Sequence, residues 1–384
     1  MVLRRDNSIS VIILLLSLLT SMSSLLALPR YALENEYTCS LCHVDPAGGG
    51  MRNEYGVSVF GQGELVSQKY KHLSASDWDG FVGQHLRIGG DARFQAFSHA
   101  DTINRKLAIF PMQADIYGEL LVNSQISLYI EFDLSRKTES EFWTTIYFGN
   151  ENWVRVGRAI PDYGLYFEDH TIFNRGGNIR LRKLDTATEG FFTSPFLKPP
   201  GMVELGFQLN ESITISGSIG NKFIAGADAG YGFNEQIDQK YKSLNFDYYL
   251  NLFDKWSSFL GLNWLSEVDL SFFSISTGLN IDKLNWLLAL DFGQNWNSSG
   301  TRAFSVVNQF NWKLQQGIFI TASHQFYDPE LEYLSGAIER FVMGMEFFPI
   351  NVLEIKFQTR FTNITPNNGR RIMPEYLIQL HSWF

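Results

Sequence analysis

The C-terminal four-fifths of the chain alternates between apolar and polar residues, and this period of two constrains the fold more than any other feature. In VLEIKFQTRF, residues 352–361, one face holds Leu353, Ile355 and Phe357, and charged or amide residues take the other. The stretch ISLYIEFDL, residues 126–134, repeats the pattern. Similar runs begin near Ile213, Phe246, Phe259, Val268, Leu284, Phe304, Ile318 and Ile338. Such alternation indicates β-strands with one apolar and one polar face. We predict an all-β fold.

Two architectures share this signal, a soluble β-sandwich and a transmembrane β-barrel. Charged residues make up 18% of the chain and aromatic residues 15%, whereas an average soluble domain is about 25% charged. Strands of about ten residues with charges of both signs on the polar face suit a barrel with a polar lumen. We expect aromatic girdles at the membrane interfaces, formed by Trp143, Trp153, Trp256, Trp264, Trp286, Trp296 and Trp312.

The last strand and the connections favour the barrel. The chain ends in YLIQLHSWF, with apolar residues at alternate positions before Phe384, and this resembles the C-terminal signature of bacterial outer-membrane proteins. Short turns near Asn210 and Leu314 alternate with longer segments at 98–108, 222–240 and 327–336. Residues 81–384, at about 18 to 20 residues per strand, predict 14 to 18 strands, and bacterial barrels have even numbers. We predict an antiparallel barrel of 16 strands.

The N-terminus predicts export to the cell envelope. Arg4 and Arg5 precede an almost wholly apolar run from Ile9 to Leu19, and Ala27 ends the segment, as in a cleaved signal peptide. The alternative, a membrane anchor, needs about 20 apolar residues, more than this run provides. We therefore divide the chain into a signal peptide at 1–27, a linking segment at 28–80 and the barrel at 81–384, in the bacterial outer membrane.

The only two cysteines of the chain lie in the linking segment. Cys39-Ser40-Leu41-Cys42-His43 matches C-x-x-C-H, the attachment motif of c-type haem. Two thiols three positions apart on one turn suit thioether bonds to the vinyl groups, and the adjacent imidazole suits the proximal position on the iron. The alternatives are a structural disulfide or a thioredoxin-like redox pair, but no βαβ pattern surrounds the two cysteines. A zinc site would need two further ligands nearby. We predict one covalent haem c on Cys39 and Cys42, with His43 as iron ligand, so that residues 28–80 form a monohaem cytochrome c segment.

The sixth iron ligand stays open between several residues. Met51 follows closely, His72 precedes the first strand, and His85 lies at the first strand. A methionine thioether would raise the reduction potential and a second imidazole would lower it. Met112 and His170 would serve if the haem lay inside the barrel, and an open position is a further alternative.

Charge argues against a nucleic-acid partner. The net charge is -9 and no basic block occurs, whereas nucleic-acid binding needs clustered Lys and Arg. No nucleophile triad, phosphate loop or paired-carboxylate site is evident, so hydrolysis is disfavoured.

The layout as a whole resembles the fused monohaem cytochrome–porins, whose best-known members are outer-membrane iron oxidases. The resemblance rests on Cys39, Cys42 and His43 near the mature N-terminus and on the porin-sized barrel ending in Phe384. It implies an electron conduit between an extracellular donor or acceptor, such as Fe(II), and periplasmic cytochromes, acting as an oxidoreductase or an electron-transfer protein. The chain lacks the Phe-Gly-Arg-type segment that usually follows the haem motif in iron oxidases.

The position of the haem segment determines how the chain would transfer electrons across the membrane. One haem on a periplasmic tether would not bridge the apolar band, so the haem segment is a candidate plug of the lumen. A passive porin or scaffold with a periplasmic haem segment is the first alternative, and a soluble β-sandwich haem sensor is the second.

A second segment, residues 154–177, interrupts the strand pattern with polar and aromatic residues. Asp169, His170 and Arg175, together with Asp162 and Glu168, form a candidate constriction folded into the lumen. The alternative is a long extracellular loop with paired charges.

Overall fold

The structure is a computed structural model, and its description covers the following residues: 30–31, 33, 39–46, 48–73, 78–100, 105–134, 140–149, 151–165, 172–173, 199–210, 212–224, 236–253, 256–296, 299–333, 337–364 and 371–384. Before the strands, the described residues include a 3₁₀ turn at Cys39–Leu41, a π-helix at Tyr55–Leu65 and a 3₁₀ helix at Gln68–Leu73. Within the described residues, no helix has both the length and the apolar character needed to cross a bilayer.

The rest of the described chain is mostly strand. The strands are β1 (Phe81–Val82), β2 (Leu86–Ala100), β3 (Arg105–Leu121), β4 (Ile126–Asp133), β5 (Glu141–Phe148), β6 (Asn152–Arg158), β7 (Gly201–Asn210), β8 (Ile213–Gly220), β9 (Tyr241–Phe253), β10 (Trp256–Glu267), β11 (Leu270–Ile281), β12 (Leu284–Gln294), β13 (Arg302–Gln315), β14 (Ile318–Asp328), β15 (Ile338–Ile350), β16 (Leu353–Ile364) and β17 (Arg371–Trp383).

Strands β2 to β17 form a closed 16-strand antiparallel barrel in which neighbours in sequence are neighbours in the sheet. The barrel closes where β17 pairs with β2. Across this seam the Gln95 amide nitrogen donates a hydrogen bond to the Gln379 amide oxygen at 2.7 Å. The short β1 pairs with the beginning of β2. Closure thus pairs each of the strands β2 to β17 on both sides, and the predicted fold and strand number are confirmed.

The two ends of the barrel differ in their connections. At one end, which we call the turn end, connections are as short as residues 282–283, and the chain also finishes there. The opposite end, the loop end, carries the long connection at 159–200. Bacterial barrels place short turns in the periplasm and longer loops outside. The predicted short turns near Asn210 and Leu314 are confirmed, but the loop predicted at 98–108 is wrong, because β2 and β3 cover most of it.

The two faces of each strand have the predicted character. In β4, Leu128 and Phe132 are exposed on the outside, whereas Ser127 and Tyr129 are buried inside. In β16, Phe357 is exposed and Lys356 is buried. Successive side chains of a strand point to opposite faces, so the apolar set forms an outer surface suited to lipid and the polar set lines the lumen.

The prediction of an outward aromatic girdle is correct for part of the tryptophan set. Trp256, Trp264 and Trp312 are exposed on the outer face. Trp143 and Trp153 are buried, and the prediction is wrong for both. Each shares its face with lumen residues because of strand parity: Trp143 stacks on a tyrosine of β4 with ring centroids 4.0 Å apart, and the Trp153 indole N–H donates to a carboxylate of β7.

Candidate functional site

The C-x-x-C-H motif forms a single turn. The backbone N–H groups of Cys42 and His43 both donate to the carbonyl oxygen of Cys39, at 3.2 and 3.0 Å. Cys42 and His43 are buried and Cys39 is partly exposed. The local geometry that the spacing predicts, with both cysteines on one turn and the histidine directly behind, is therefore present in the backbone.

The chain then turns back on itself through the glycine run. The Val44 N–H donates to the Met51 carbonyl oxygen at 3.0 Å. Gly48, Gly49 and Gly50 have φ values of 86°, 78° and 58°, a left-handed region that glycine adopts without steric cost. A side chain at Gly48 would lie 3.1 Å from the Cys39 sulfur. The run thus closes a hairpin and leaves room beside the Cys39 thiol.

Ion pairs join this hairpin to the inner wall of the barrel. The Asp45 carboxylate accepts a hydrogen bond from Nη1 of Arg155, on β6, at 2.7 Å. The same fully buried guanidinium donates through Nε and Nη2 to Glu204, at 3.1 and 3.0 Å. Arg155 and Glu204 are directly opposite each other in the pairing of β6 with β7. Nearer the N-terminus, Arg30 forms an ion pair with Glu346 on β15.

Apolar contacts hold the same segment at the turn end. Tyr31 and Phe60 pack with ring centroids 5.0 Å apart, and the Arg52 guanidinium carbon lies 4.1 Å from the centre of the Trp383 ring. One buried cluster combines residues of the segment with residues of β14, β15 and β17: Tyr31, Cys42, Phe60, Leu65, Phe319, Phe348 and Trp383. The Ser67 N–H then donates to the Phe348 carbonyl oxygen at 3.0 Å. Residues 39–67, which we call the lumen segment, therefore contact inward-facing residues of the barrel.

Burial sets the acidity of both thiols. Burial raises the pKa of Cys42 to about 11, with a smaller opposing effect of Arg52. Burial also raises the pKa of Cys39, and the carboxylates of Asp162 and Asp247 raise it further. The thiolate is the reactive form of cysteine, so burial in the folded chain disfavours the reactive form of both thiols.

Met51 and His72, two of the candidates for the sixth ligand, lie in different places. Met51 is buried in the hairpin, where its carbonyl oxygen accepts a hydrogen bond from the Val44 N–H. His72 is exposed in the 3₁₀ helix Gln68–Leu73, beyond the contact of Ser67 with β15. The backbone thus brings Met51, rather than His72, into the same hairpin as the motif.

The candidate constriction residues Asp169, His170 and Arg175 lie outside the described residues, as does Glu168. Of the same loop, residues 159–165 and 172–173 are described. The Asp162 carboxylate accepts a hydrogen bond from the Asn245 amide at 2.6 Å.

The Gly164 N–H donates to the side-chain oxygen of Asn263 at 2.9 Å. Phe173 is buried and stacks on Tyr327, with ring centroids 6.0 Å apart. The stretches at 159–165 and 172–173 therefore lie against lumen-facing residues of the wall, which agrees with a loop folded into the barrel.

A cavity of about 640 Å³ lies at the turn end between the lumen segment and strands β2 to β5. Its lining includes Ser40, His43, Asn53, Arg87, Glu119 and Tyr147. The two cysteine side chains are not part of this lining. Its volume is in the range of pockets that bind small molecules and cofactors. In the described part of the chain, no three His, Cys, Asp or Glu side chains are grouped to hold a metal ion.

Sequence reasoning missed the wall partners Arg155, Glu204, Arg87 and Glu119. Alternation predicts that each faces the lumen, but the pairing of a wall residue with a residue of the lumen segment depends on the strand register, which the sequence does not reveal.

Comparison with solved structures reveals the type of barrel. The OmpF porin of Salmonella typhi, solved in complex with daunomycin, matches with a TM-score of 0.54 at 9% identity over 78% of this chain and 97% of its own. A porin refined at 1.8 Å matches with a TM-score of 0.52 at 10% identity, over 78% of this chain and 100% of its own. The anion-selective porin of Comamonas acidovorans matches at 0.51 and 12% identity, over 78% and 99%.

The fold is that of the bacterial outer-membrane porins. The identities are too low to carry function across, so the likeness applies to the fold. Searches with protein-family models and against curated proteins find no match. The 16-strand barrel fits the predicted outer-membrane location.

Proposed function

We propose that the chain is an outer-membrane electron-transfer protein with one c-type haem bound covalently to Cys39 and Cys42 and ligated by His43. The supporting observation is the ion pair of Asp45 with Arg155 at 2.7 Å, which joins the hairpin of the motif to the inner wall. The residues fit a c-type haem in two respects. The glycine at position 48 leaves room beside the Cys39 sulfur, and the His43 side chain lines a cavity of about 640 Å³.

In this proposal the lumen segment is a plug. A c-type haem supplies one-electron oxidation and reduction of its iron, at a potential set by the axial ligands and the surroundings. The chain holds the attachment residues within the barrel, and the wall isolates them from lipid. The apolar band of such a barrel is about 25 Å tall, so attachment residues inside it shorten the distance to either side. We propose an extracellular donor or acceptor, with Fe(II) as a candidate, and periplasmic cytochromes as partners.

The buried position of Met51 favours it over His72 as the sixth ligand. The His43 and Met51 strands of the hairpin are hydrogen-bonded to each other. A Met51→Ala variant would then lower the reduction potential and change the absorption of the oxidised protein, whereas His72→Ala would leave both unchanged.

The test uses protein produced in a host that attaches c-type haem in the periplasm. The wild type should retain haem after denaturing electrophoresis, and Cys39→Ala combined with Cys42→Ala should abolish this retention while leaving the heat-dependent gel mobility of the barrel intact. In proteoliposomes that contain the wild type, a membrane-impermeant external reductant should reduce an acceptor on the periplasmic side. In proteoliposomes that contain the double cysteine variant, it should not. A wild type without covalent haem would contradict the proposal.

The porin fold itself favours a second candidate, a passive pore or scaffold. Conductance in planar bilayers distinguishes the two. The plug proposal predicts a low conductance that rises when the lumen segment, residues 39–67, is deleted. A high, stable conductance of the intact holoprotein would favour the pore.

A further inference from the structure

The cavity beside His43 contains an ion pair from two neighbouring strands. Arg87 on β2 and Glu119 on β3 are directly opposite in register, and Nη1 of Arg87 lies 3.3 Å from Oε2 of Glu119. The guanidinium carbon also lies 5.0 Å from the centre of the Phe81 ring. Strand register and the aromatic ring thus hold the guanidinium at the cavity wall.

The Arg87 guanidinium has donors to spare. An arginine carries five N–H donors in a planar fork that suits carboxylates. Among the residues that the structure describes, Nε of Arg87 is buried and has no hydrogen-bond acceptor. Leaving a buried donor unpaired costs about 1–3 kcal/mol, so an additional anionic partner at this place would be favoured.

His43, in the lumen segment, lines the same cavity. Ser40, inside the C-x-x-C turn, also lines it. The cavity therefore extends from the attachment motif to Arg87. A haem has apolar edges that carry the thioether bonds and a polar edge that carries propionate carboxylates.

We propose that this cavity receives the propionate edge of the haem and that Arg87 pairs with a propionate carboxylate there, while Glu119 keeps the guanidinium in place. This inference rests on the proposed function, since it requires a haem on Cys39 and Cys42. It assigns to Arg87 and Glu119 a role in binding and tuning the cofactor.

The signs of the expected effects follow from charge. The oxidised iron carries one more positive charge than the reduced iron, so a nearby cation favours reduction and a nearby anion favours oxidation. Arg87→Gln should therefore lower the reduction potential of the holoprotein, and Glu119→Gln should raise it. Arg87→Lys keeps the positive charge, so its reduction potential should stay close to that of the wild type.

The experiment is a redox titration of purified wild-type holoprotein and these variants, followed by the haem absorption band. Arg302→Gln is the matched control, because Arg302 is an exposed residue at the loop end, and its potential should equal that of the wild type. Heat-dependent gel mobility verifies that each barrel has folded. If Arg87→Gln does not fold, Arg87→Lys and Glu119→Gln carry the test.

Two failures are distinguishable. Wild-type protein with covalent haem, whose potential is unchanged in Arg87→Gln and Glu119→Gln, would overturn the assignment of this cavity and leave the proposed function standing. Shifts of the same sign in both variants would also overturn it, because a general loss of packing, and not charge, would explain them. Wild-type protein without covalent haem would overturn the proposed function and this inference together.

Discussion

The barrel wall and the lumen segment that contacts it are held by different kinds of interaction. Every strand from β2 to β17 is paired on both sides, so the wall depends on many equivalent backbone hydrogen bonds and on an apolar outer face. The lumen segment depends on a few specific contacts, chiefly Asp45 with Arg155 and the cluster around Trp383. A single substitution should therefore displace the segment more easily than it opens the wall.

The largest effect is expected from Arg155→Ala. The change leaves the carboxylates of Glu204 and Asp45 without their shared cation, and Glu204 is buried. Removing one partner of a buried ion pair costs about 3–5 kcal/mol. We expect the lumen segment to become sensitive to protease while the barrel retains its heat-dependent gel mobility. A segment that remains as resistant as the wild type would show that this ion pair does not hold it.

A substitution in the wall tests the other side of the comparison. Phe310 is an outward residue of β13 and is exposed to the membrane. An arginine on the lipid-facing surface of a barrel costs about 2–4 kcal/mol at the midplane and about 0–1 kcal/mol near the interfaces, so Phe310→Arg, farther from the strand end, should destabilise the barrel more than Leu314→Arg. Leu314→Arg, at the end of the same strand, is the matched control. Urea unfolding in lipid vesicles measures both, and equal losses would contradict the depth dependence.

Close packing within the lumen segment is tested at Gly56. A β-carbon there would lie 2.2 Å from the Cys42 carbonyl oxygen, so Gly56→Ala should push the π-helix away from the C-x-x-C turn at a cost of about 1–3 kcal/mol. Gly63→Ala in the same helix is the control, because nothing lies within 4 Å of the added carbon.

Thiol labelling is a suitable measurement for this pair in haem-free protein. Gly56→Ala should make Cys42 react faster with a maleimide, and Gly63→Ala should not. Identical labelling rates in the two variants would indicate that the helix does not pack on the turn.

The smallest effect is expected at the loop end. Arg302 and Glu332 form an exposed ion pair at 2.8 Å. Exposed pairs are screened by water and salt and contribute little, so Arg302→Ala should leave the unfolding midpoint unchanged. A clear loss of stability here would mean that the contrast between lumen and surface ion pairs is false.

The sequence predicts the strands of the wall well, because the alternation of apolar and polar residues is a relation between near neighbours in the chain. Leu128 and Ser127 differ in burial as their alternation requires, and the same rule holds along β16. The rule gives the two faces but not the direction in which an aromatic side chain points at a strand end, and this is why Trp143 and Trp153 were assigned to the wrong face. Trp153 and Arg155 share a face of one strand, but the position of Trp143 opposite Tyr129 depends on the register between β4 and β5, which alternation within a strand does not give.

The C-x-x-C-H turn was equally predictable, since five consecutive residues determine it. The contacts of that turn were not. Asp45 and Arg155 are 110 residues apart, and no periodicity relates them.

The amino-acid sequence alone determined a transmembrane barrel of 16 strands and a local turn that carries two cysteines and a histidine, because alternation and short spacing act between near neighbours in the chain. Only the tertiary structure decided that this turn meets Arg155, that Met51 shares its hairpin, and that Arg87 and His43 line one cavity. Those relations depend on strand register and barrel closure, which bring together residues far apart in sequence.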